Sequence, residues 1–183
     1  MNAAVKRGDV AARTATNKLL CDIMIAPDRS VVVVEDAGTQ GITGTYVQAD
    51  VDPEPAPVQQ ALWVRTMSAD ECDVAGRLIR VRVFSGWDTG GLGVRAFDGR
   101  LNIASGLLAI GDRRNPERQL LVGPSGVISV SVFVGHDFDA ICFDECGIGY
   151  PPSGPSEVTV LLHGDSWHTY TLRNTVDRWR IRC

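Results

Sequence analysis

The stretch from Asp98 to Val134 most constrains what this chain can fold into, because it is the most apolar segment of the sequence. Between positions 128 and 134, Ile or Val occupies every second position, which is the period of a strand with one buried face. The segments GDRRNPE and VGPSG separate shorter copies of this pattern and contain the Gly, Pro and Asn residues that favour turns. The stretch therefore predicts a meander of antiparallel strands.

Other segments repeat the pattern of strands and turns. The run VVVV at 31–34 is typical of a buried strand, and LIRVRVF at 78–84 alternates apolar residues with arginines. Only MSADECD favours a helical turn, with Ser68 as N-cap and Glu71 at the capping-box position. About nine to eleven strands follow from this count. They predict an all-β fold, an antiparallel β-sandwich or jelly roll with little helix.

Length and composition indicate one domain. Of the 183 residues, 1–18 form a polar, alanine-rich N-terminal arm, predicted to be flexible or a short helix, and 19–183 form a single β-sandwich domain. The Pro-rich acidic segment DVDPEPAPVQQ predicts a loop. No apolar run approaches the roughly 20 residues that cross a bilayer, and no signal-peptide core follows the basic N-terminus. We therefore expect a cytoplasmic protein without membrane contact.

Charge and cysteine usage narrow the classes of partner. A net charge of −4 disfavours nucleic acid, whose phosphates require a basic surface, and it permits a basic protein partner. The five cysteines are an odd number in a chain long enough to fold without disulfides, which indicates reduced thiols. The oligomeric state does not follow from any of these features.

A concentrated acidic segment, HDFDAICFDE, is the best candidate for a binding surface. It could steer a basic partner electrostatically, with an exposed aromatic residue as anchor. A calcium site is a weaker interpretation, since the spacing is not that of an EF-hand, and a solvated acidic loop needs no function at all. The predicted partner-binding residues are Asp137, Asp139, Asp144, Glu145, Trp87 and Tyr150.

A zinc site is an alternative interpretation of the last third of the chain. Cys142 and Cys146 have Cys-x3-Cys spacing, and His163 and His168 follow with His-x4-His spacing. Against zinc, the intervening segment is Pro/Gly-rich and lacks the helix of a finger. We therefore expect no metal or cofactor, with a buried cysteine and two histidines at strand ends.

Catalytic signatures are missing from the sequence. It contains no G-x-S-x-G nucleophile elbow and no phosphate-binding loop, so no catalytic residue is predicted. Carbohydrate binding on Trp63, Trp87, Trp167 or Trp179 is conceivable, although tryptophans in β-proteins more often pack in or beside the core.

The order of strand motifs resembles a known family. VVVVED is a strand ending in an acidic turn; LIRVRVF, LNIASGLLAIG and VGPSGVISVSV follow in order. Over about residues 78–135 this resembles the small bacterial β-sandwich proteins of the ComJ family of competence-associated nuclease inhibitors. Position 127 or 128 lacks the aromatic residue of that family's pattern, and the N-terminal arm has no counterpart. The resemblance implies an inhibitor or immunity-type protein without catalysis.

The sequence thus predicts a non-catalytic protein-binding domain that masks a basic partner such as a nuclease or toxin. A carbohydrate- or small-ligand-binding jelly roll is the alternative, and it would have an aromatic-lined groove on one sheet. A Cys/His-dependent or zinc-containing enzyme is the third possibility.

Overall fold

A computed structural model describes residues 16–27, 29–39, 44–47, 57–112, 118–136, 140–142 and 149–169. These residues form thirteen strands and one helix, which confirms the predicted all-β fold with little helix. Ten of the strands have three or more residues, in agreement with the predicted nine to eleven. In chain order the elements are β1 (Lys18–Ile25), β2 (Val31–Asp36), β3 (Thr45–Val47), β4 (Ala61–Arg65), α1 (Ala69–Ala75), β5 (Ile79–Gly86), β6 (Val94–Ile103), β7 (Leu107–Gly111), β8 (Gln119–Val122), β9 (Gly126–Gly135), β10 (Ile141–Cys142), β11 (Gly149–Tyr150), β12 (Glu157–His163) and β13 (His168–Thr169).

Two large sheets pack face to face. The front sheet has the order β1-β5-β12-β9-β6, and the back sheet has the order β13-β8-β7-β2-β4-β3. Alternate residues of both sheets, such as Val81 and Val132 in front and Val34 and Ile110 behind, form one buried cluster. The predicted alternation of LIRVRVF is confirmed, because Ile79, Val81 and Val83 point into this cluster.

The predicted meander within Asp98–Val134 is wrong. β6 pairs with β9 in the front sheet, whereas β7 and β8 form a hairpin in the back sheet. The chain changes sheets at the turns before β7 and after β8, so the hairpin lies behind the strands that flank it in sequence. Alternation identifies the buried face of each strand, but it does not specify the neighbouring strand.

The connection from β5 to β6 crosses the outer face of the front sheet. The last residue of β5 pairs with His163, which is the last residue of β12. The first residue of β6 pairs with Val134, and Val134 in turn pairs with Val158 near the beginning of β12. Residues 87–93 therefore run from one end of the sheet to the other. Their first residue, Trp87, contacts the ring of His163, and Gly93 lies against Val134 and the Cβ atom of Phe133. This segment helps explain why the outward-facing Leu161 and Phe133 are buried.

The acidic end of VVVVED is part of a strand and not the predicted turn, because β2 continues through Asp36. The buried Asp36 carboxylate accepts the backbone N–H groups of Gly38 and Ser105, each at 3.0 Å, and the hydroxyl of Ser105. Burial alone would raise the pKa of Asp36, but these hydrogen bonds outweigh it and hold the pKa below its usual value. Asp36 thereby fastens β2 to the turn between β6 and β7.

The helix has the predicted cap. Ser68 accepts the backbone N–H of Glu71, and the Glu71 carboxylate accepts the backbone N–H of Ser68, so the capping box is confirmed in a helix of seven residues. The same carboxylate accepts the N–H and hydroxyl of Ser153, which fixes the segment before β12. Burial tends to raise the pKa of Glu71, but the bonds from Ser153 and Ser68 lower it overall.

Several predicted segments lie outside the described residues. They include most of the N-terminal arm (1–15), the first part of the Pro-rich loop (50–56) and the chain from 170 onwards. β1 begins at Lys18, one residue before the predicted domain boundary. Among the described residues, no helix has the length and apolar character needed to span a membrane.

We expect Asp36→Asn to lower the free energy of unfolding by about 2 kcal/mol, because an amide nitrogen or oxygen cannot replace a charged acceptor of three donors. The contribution of Asp36 requires the ionised carboxylate. Since its folded-state pKa is depressed, this contribution is complete above the ordinary pKa of about 4 and is lost as the pH falls through the folded-state value.

Urea unfolding at neutral pH and at about pH 3 measures both effects. Asp73→Asn is the control, since Asp73 is an exposed acid. The substitution at position 36 should also reduce the acid sensitivity of unfolding, and an acid dependence equal to that of the wild type would contradict this role.

Candidate functional site

The structure separates the two predicted aromatic anchors. Tyr150 lies in β11 and pairs with Ile141 of β10, close in sequence to the predicted acids. Trp87 follows β5 at the end of the front sheet where β12 finishes, whereas β11 precedes the beginning of β12. The acids Asp137, Asp139, Asp144 and Glu145 all lie outside the described residues, so their role stays a prediction.

Trp87 is a large apolar side chain held in an exposed position. The residue is 63% exposed. The residue after it, Asp88, donates its backbone N–H to the side-chain oxygen of Asn17 at 3.0 Å and accepts the Asn17 side-chain N–H through its carbonyl. The carboxylate of Asp88 then accepts the N–H of Gly90 at 2.9 Å, which closes a tight turn. These bonds fix the loop that presents Trp87.

Glycine at position 86 makes this arrangement possible. Gly86 has φ +151°, and a Cβ atom there would collide with the side chain of Asn17. Because glycine lacks that atom, Asn17 can lie against the end of β5 and reach Asp88.

Beneath Trp87, three polar side chains from three adjacent strands form a chain of hydrogen bonds. The ring centroids of Trp87 and His163 are 5.3 Å apart, with the ring planes tilted by 58°. His163 Nε2 lies 2.8 Å from Ser131 Oγ, and Ser131 Oγ donates to Asp98 Oδ1, also at 2.8 Å. Asp98 and Ser131 are directly paired across β6 and β9, so strand register brings them together.

The direction of these hydrogen bonds determines what the three side chains can do chemically. A serine hydroxyl has one proton, and donation to Asp98 means that His163 must donate its Nε2 proton to Ser131. A nucleophilic serine requires the opposite arrangement, in which the histidine nitrogen accepts the hydroxyl proton. Ser131 is also 1% exposed, which withholds its oxygen from substrate. The cluster is therefore suited to orienting the His163 ring under Trp87.

Sequence reasoning identified Trp87 but missed Ser131 and Asp98. The alternation of Ile and Val from 128 to 134 predicts only that Ser131 lies on the face turned away from the core, and the structure agrees. Asp98 begins the motif DGR, which carries no sign of its cross-strand partner. The register of β6 on β9, which creates the contact, is a property of tertiary structure.

The members of the zinc alternative occupy different parts of the fold. His163 ends β12 in the front sheet, whereas His168 lies in β13 at the edge of the back sheet. Cys142 belongs to β10, which packs beside α1, and Cys146 lies outside the described residues. Within the parts of the chain that the structure describes, no three His, Cys, Asp or Glu residues are grouped as metal ligands.

Two cysteines are described with their side chains, Cys21 and Cys72, and both are buried free thiols. Burial, with a contribution from the neighbouring Asp22, raises the pKa of Cys21 to about 12. Burial also raises the pKa of Cys72, assisted by Glu71. Neither thiol is suited to nucleophilic chemistry, because the thiolate is the reactive form.

The tryptophans are distributed over both sheets and do not form one platform. Trp167 is buried in the core, and Trp179 lies outside the described residues. Trp63 faces outwards from the back sheet, where the exposed Tyr46 contacts it edge-on with ring centroids 5.1 Å apart. This pair and Trp87 therefore belong to opposite faces of the sandwich.

A shallow groove lies on the outer face of the front sheet, at its β1 edge. Its volume is about 420 Å³, and it is bordered by the apolar Met24 and Leu78. Arg80 also lines the groove and forms an ion pair with Asp22 through two hydrogen bonds, with N···O distances of 3.0 and 2.7 Å. Because this pair uses the guanidinium edge fully, the groove presents paired charges to solvent.

Comparison of the chain with protein-family models, with curated proteins and with solved structures found no match. The resemblance to the ComJ family stays an expectation from sequence.

We expect Ser131→Ala to lower the free energy of unfolding by about 1 kcal/mol, since it leaves Asp98 and the Nε2 atom of His163 without their shared partner. The His163 ring should then lose its fixed orientation under Trp87. Ser129→Ala is the matched control, because Ser129 is an exposed serine two positions earlier on the same strand face.

Chemical denaturation measures the stability, and NMR of the Trp87 indole and His163 ring signals measures the orientation. Equal stability and unchanged ring signals in the two variants would show that the hydrogen-bond chain does not position His163.

Proposed function

We propose that this protein is a non-catalytic binding domain that recognises another protein through the surface around Trp87. The observation that carries the proposal is the exposure of Trp87 on a loop held by hydrogen bonds at the next residue, Asp88. Tryptophan is enriched among the residues that contribute most to protein interfaces. A large aromatic side chain that its loop already holds in place favours a role in recognition, because less conformational freedom is lost on binding.

Preorganisation supports this proposal. A side chain that is already fixed loses little conformational freedom when a partner covers it, and more of its burial energy contributes to affinity. The ring of His163 contacts the indole, and the hydrogen bonds to Ser131 and Asp98 keep His163 in place. The exposed part of Trp87 is then available to fill a pocket on a partner.

We further propose that the partner is a basic protein. The net charge of −4 and the acidic segment at 137–145 favour a basic protein, such as a nuclease or toxin that the domain would mask. A cytoplasmic location and the lack of nucleic-acid binding belong to the same proposal. The sequence resemblance to the ComJ family agrees with an inhibitor or immunity role.

We expect Trp87→Ala to weaken binding to the partner by at least about tenfold, because it removes the central apolar anchor. Affinity capture from a lysate of the source cells, with the wild-type protein as bait, supplies the partner. Val127→Ala is the control, since Val127 is another exposed apolar residue, 55% exposed, at the beginning of β9. A partner retained equally by all three proteins, or no retained partner, would contradict the proposal.

The acidic segment has a separate test. Neutralising Asp137, Asp139, Asp144 and Glu145 to the corresponding amides should slow association with the captured partner and flatten its dependence on salt, because steering acts on the association rate. Association rates measured at low and high ionic strength decide this. If the rates and their salt dependence stay unchanged, Trp87 acts without electrostatic steering.

A further inference from the structure

The β1 edge of the front sheet is less protected than the other sheet edges of the described chain. The edge strands of the back sheet, β3 and β13, have only three and two residues. At the opposite edge of the front sheet, β6 has a bulge between Arg95 and Phe97, and Gln59 pairs beside its far end. Short strands, bulges and covering segments keep an edge from pairing with another chain. β1, by contrast, has eight residues, and its bulge lies near its beginning.

Two residues of β1 direct their backbone N–H and C=O groups towards this edge. Arg80 of β5 donates its backbone N–H to the carbonyl of Ser156, on the β12 side, at 2.9 Å, so its backbone groups point away from β1. Opposite residues of an antiparallel pair either bond to each other or both face away, and Arg80 pairs with Met24. Met24 and, two positions earlier, Asp22 therefore present their backbone groups to the edge. No other described strand pairs there.

The open backbone groups lie on either side of Ile23, which is the centre of the free edge. Towards the beginning of β1, the carbonyl of Leu20 already accepts the hydroxyl of Thr169 at 2.6 Å. Towards its end, the strand finishes at Ile25, and Pro27 soon follows, which has no N–H to donate. The free edge is therefore short and symmetric about one residue.

We propose that β1 pairs with β1 of a second copy of this chain, antiparallel and about a two-fold axis at Ile23. Asp22 then exchanges both backbone hydrogen bonds with the partner's Met24, and Met24 does so with the partner's Asp22. The open groups of both copies are satisfied, and the two-fold symmetry closes the assembly as a dimer. A shift of the register in one direction would set Asp22 opposite the partner's Asp22. A shift in the other direction would require Ala26, which lies beyond the end of β1.

Side chains on both faces of β1 suit this register. Ile23 and Ile25 pack against the core but are only partly buried. In the dimer, Ile23 faces the partner's Ile23, and Ile25 faces the partner's Cys21, so the core continues across the contact. On the outer face, Met24 is 53% exposed and would be covered beside the partner's Asp22.

The charges of the edge favour a second copy over a basic protein. Asp22 forms an ion pair with Arg80 at 2.7 Å, so the outer face of this edge carries an acid together with its counterion. A basic strand gains little from such a neutral edge. In the proposed register Asp22 lies opposite Met24, which avoids the destabilising contact of like charges on facing strands. Contacts of this size lie at the low end of specific interfaces, so we expect a weak dimer.

Self-pairing would also affect the recognition surface around Trp87. Opposite residues of an antiparallel pair lie on the same face, so the outer faces of the two front sheets would form one surface. That surface would carry two copies of Trp87, which increases the avidity for a partner with two binding sites. This consequence rests on the proposed function, whereas the pairing of β1 does not.

Sedimentation velocity of the whole chain under reducing conditions, from about 1 to about 500 μM, measures the equilibrium between monomer and dimer. We expect a reversible dimer. Met24→Pro removes an N–H from the open edge without removing a bond to β5, and it should weaken the dimer by about tenfold or more. Val94→Pro is the matched control, because Val94 is the exposed first residue of the opposite edge strand, where proline is tolerated.

Cysteine cross-linking tests the register. In the dimer, Ile23→Cys places two cysteines directly opposite, with Cα atoms about 4.5 Å apart, within the range of a disulfide. Met24→Cys is the control, since its two copies would be diagonal neighbours about 7–8 Å apart, too far for a disulfide. Under mild oxidation, Ile23→Cys should form a linked dimer faster than Met24→Cys or the wild type.

The proposal is overturned if the chain stays monomeric over the whole range, or if Met24→Pro dimerises as well as the wild type. Cross-linking of Ile23→Cys no faster than that of Met24→Cys would also overturn it. Protection of the Asp22 and Met24 amides from hydrogen exchange in a monomer would show instead that another segment of the same chain occupies the edge. Thermal unfolding confirms that each variant is folded, and the cross-linking test does not depend on the proline variant. None of the variants alters Trp87, so failure here leaves its role unaffected.

Discussion

The pairing of β12 with both β5 and β9 is the constraint on which the front sheet depends. β12 comes late in the chain, yet it lies at the centre of the sheet, parallel to β5 and antiparallel to β9. This insertion separates β5 from β6 by two strands, so the connection between them must cross the outer face. The same insertion places His163 beside Ser131, and the crossing segment places Trp87 over His163. One strand pairing thus produces both the buried outer face and its aromatic contact.

Buried carboxylates connect elements of this sandwich through hydrogen bonds. Asp36 binds the turn between β6 and β7, and Glu71 binds the segment before β12. Each carboxylate is satisfied by several N–H and O–H donors, and the resulting depression of its pKa shows that hydrogen bonding outweighs the cost of burial. Glu35 differs, because only one of its oxygens has a partner.

The sequence predicted the features that depend on local periodicity. The alternation in LIRVRVF identified the buried face of β5, and the spacing from Ser68 to Glu71 identified the helix cap, because both are decided within a few residues. The meander was wrong because strand pairing depends on contacts between distant residues. For the same reason the sequence could not reveal the Asp98–Ser131 contact, or that Glu35 is buried against Arg118, since neither partner lies nearby in the chain.

The two outer faces of the sandwich differ in how their polar groups are satisfied. On the front sheet, the polar groups beneath the exposed Trp87 satisfy one another, because His163, Ser131 and Asp98 form one series of hydrogen bonds. On the back sheet, Glu35 and Arg118 form a buried ion pair in which Glu35 Oε2 and two guanidinium nitrogens have no hydrogen-bond partner. Because a charged group buried without its full set of hydrogen bonds is costly, the back sheet has a local cost in stability that the front sheet avoids.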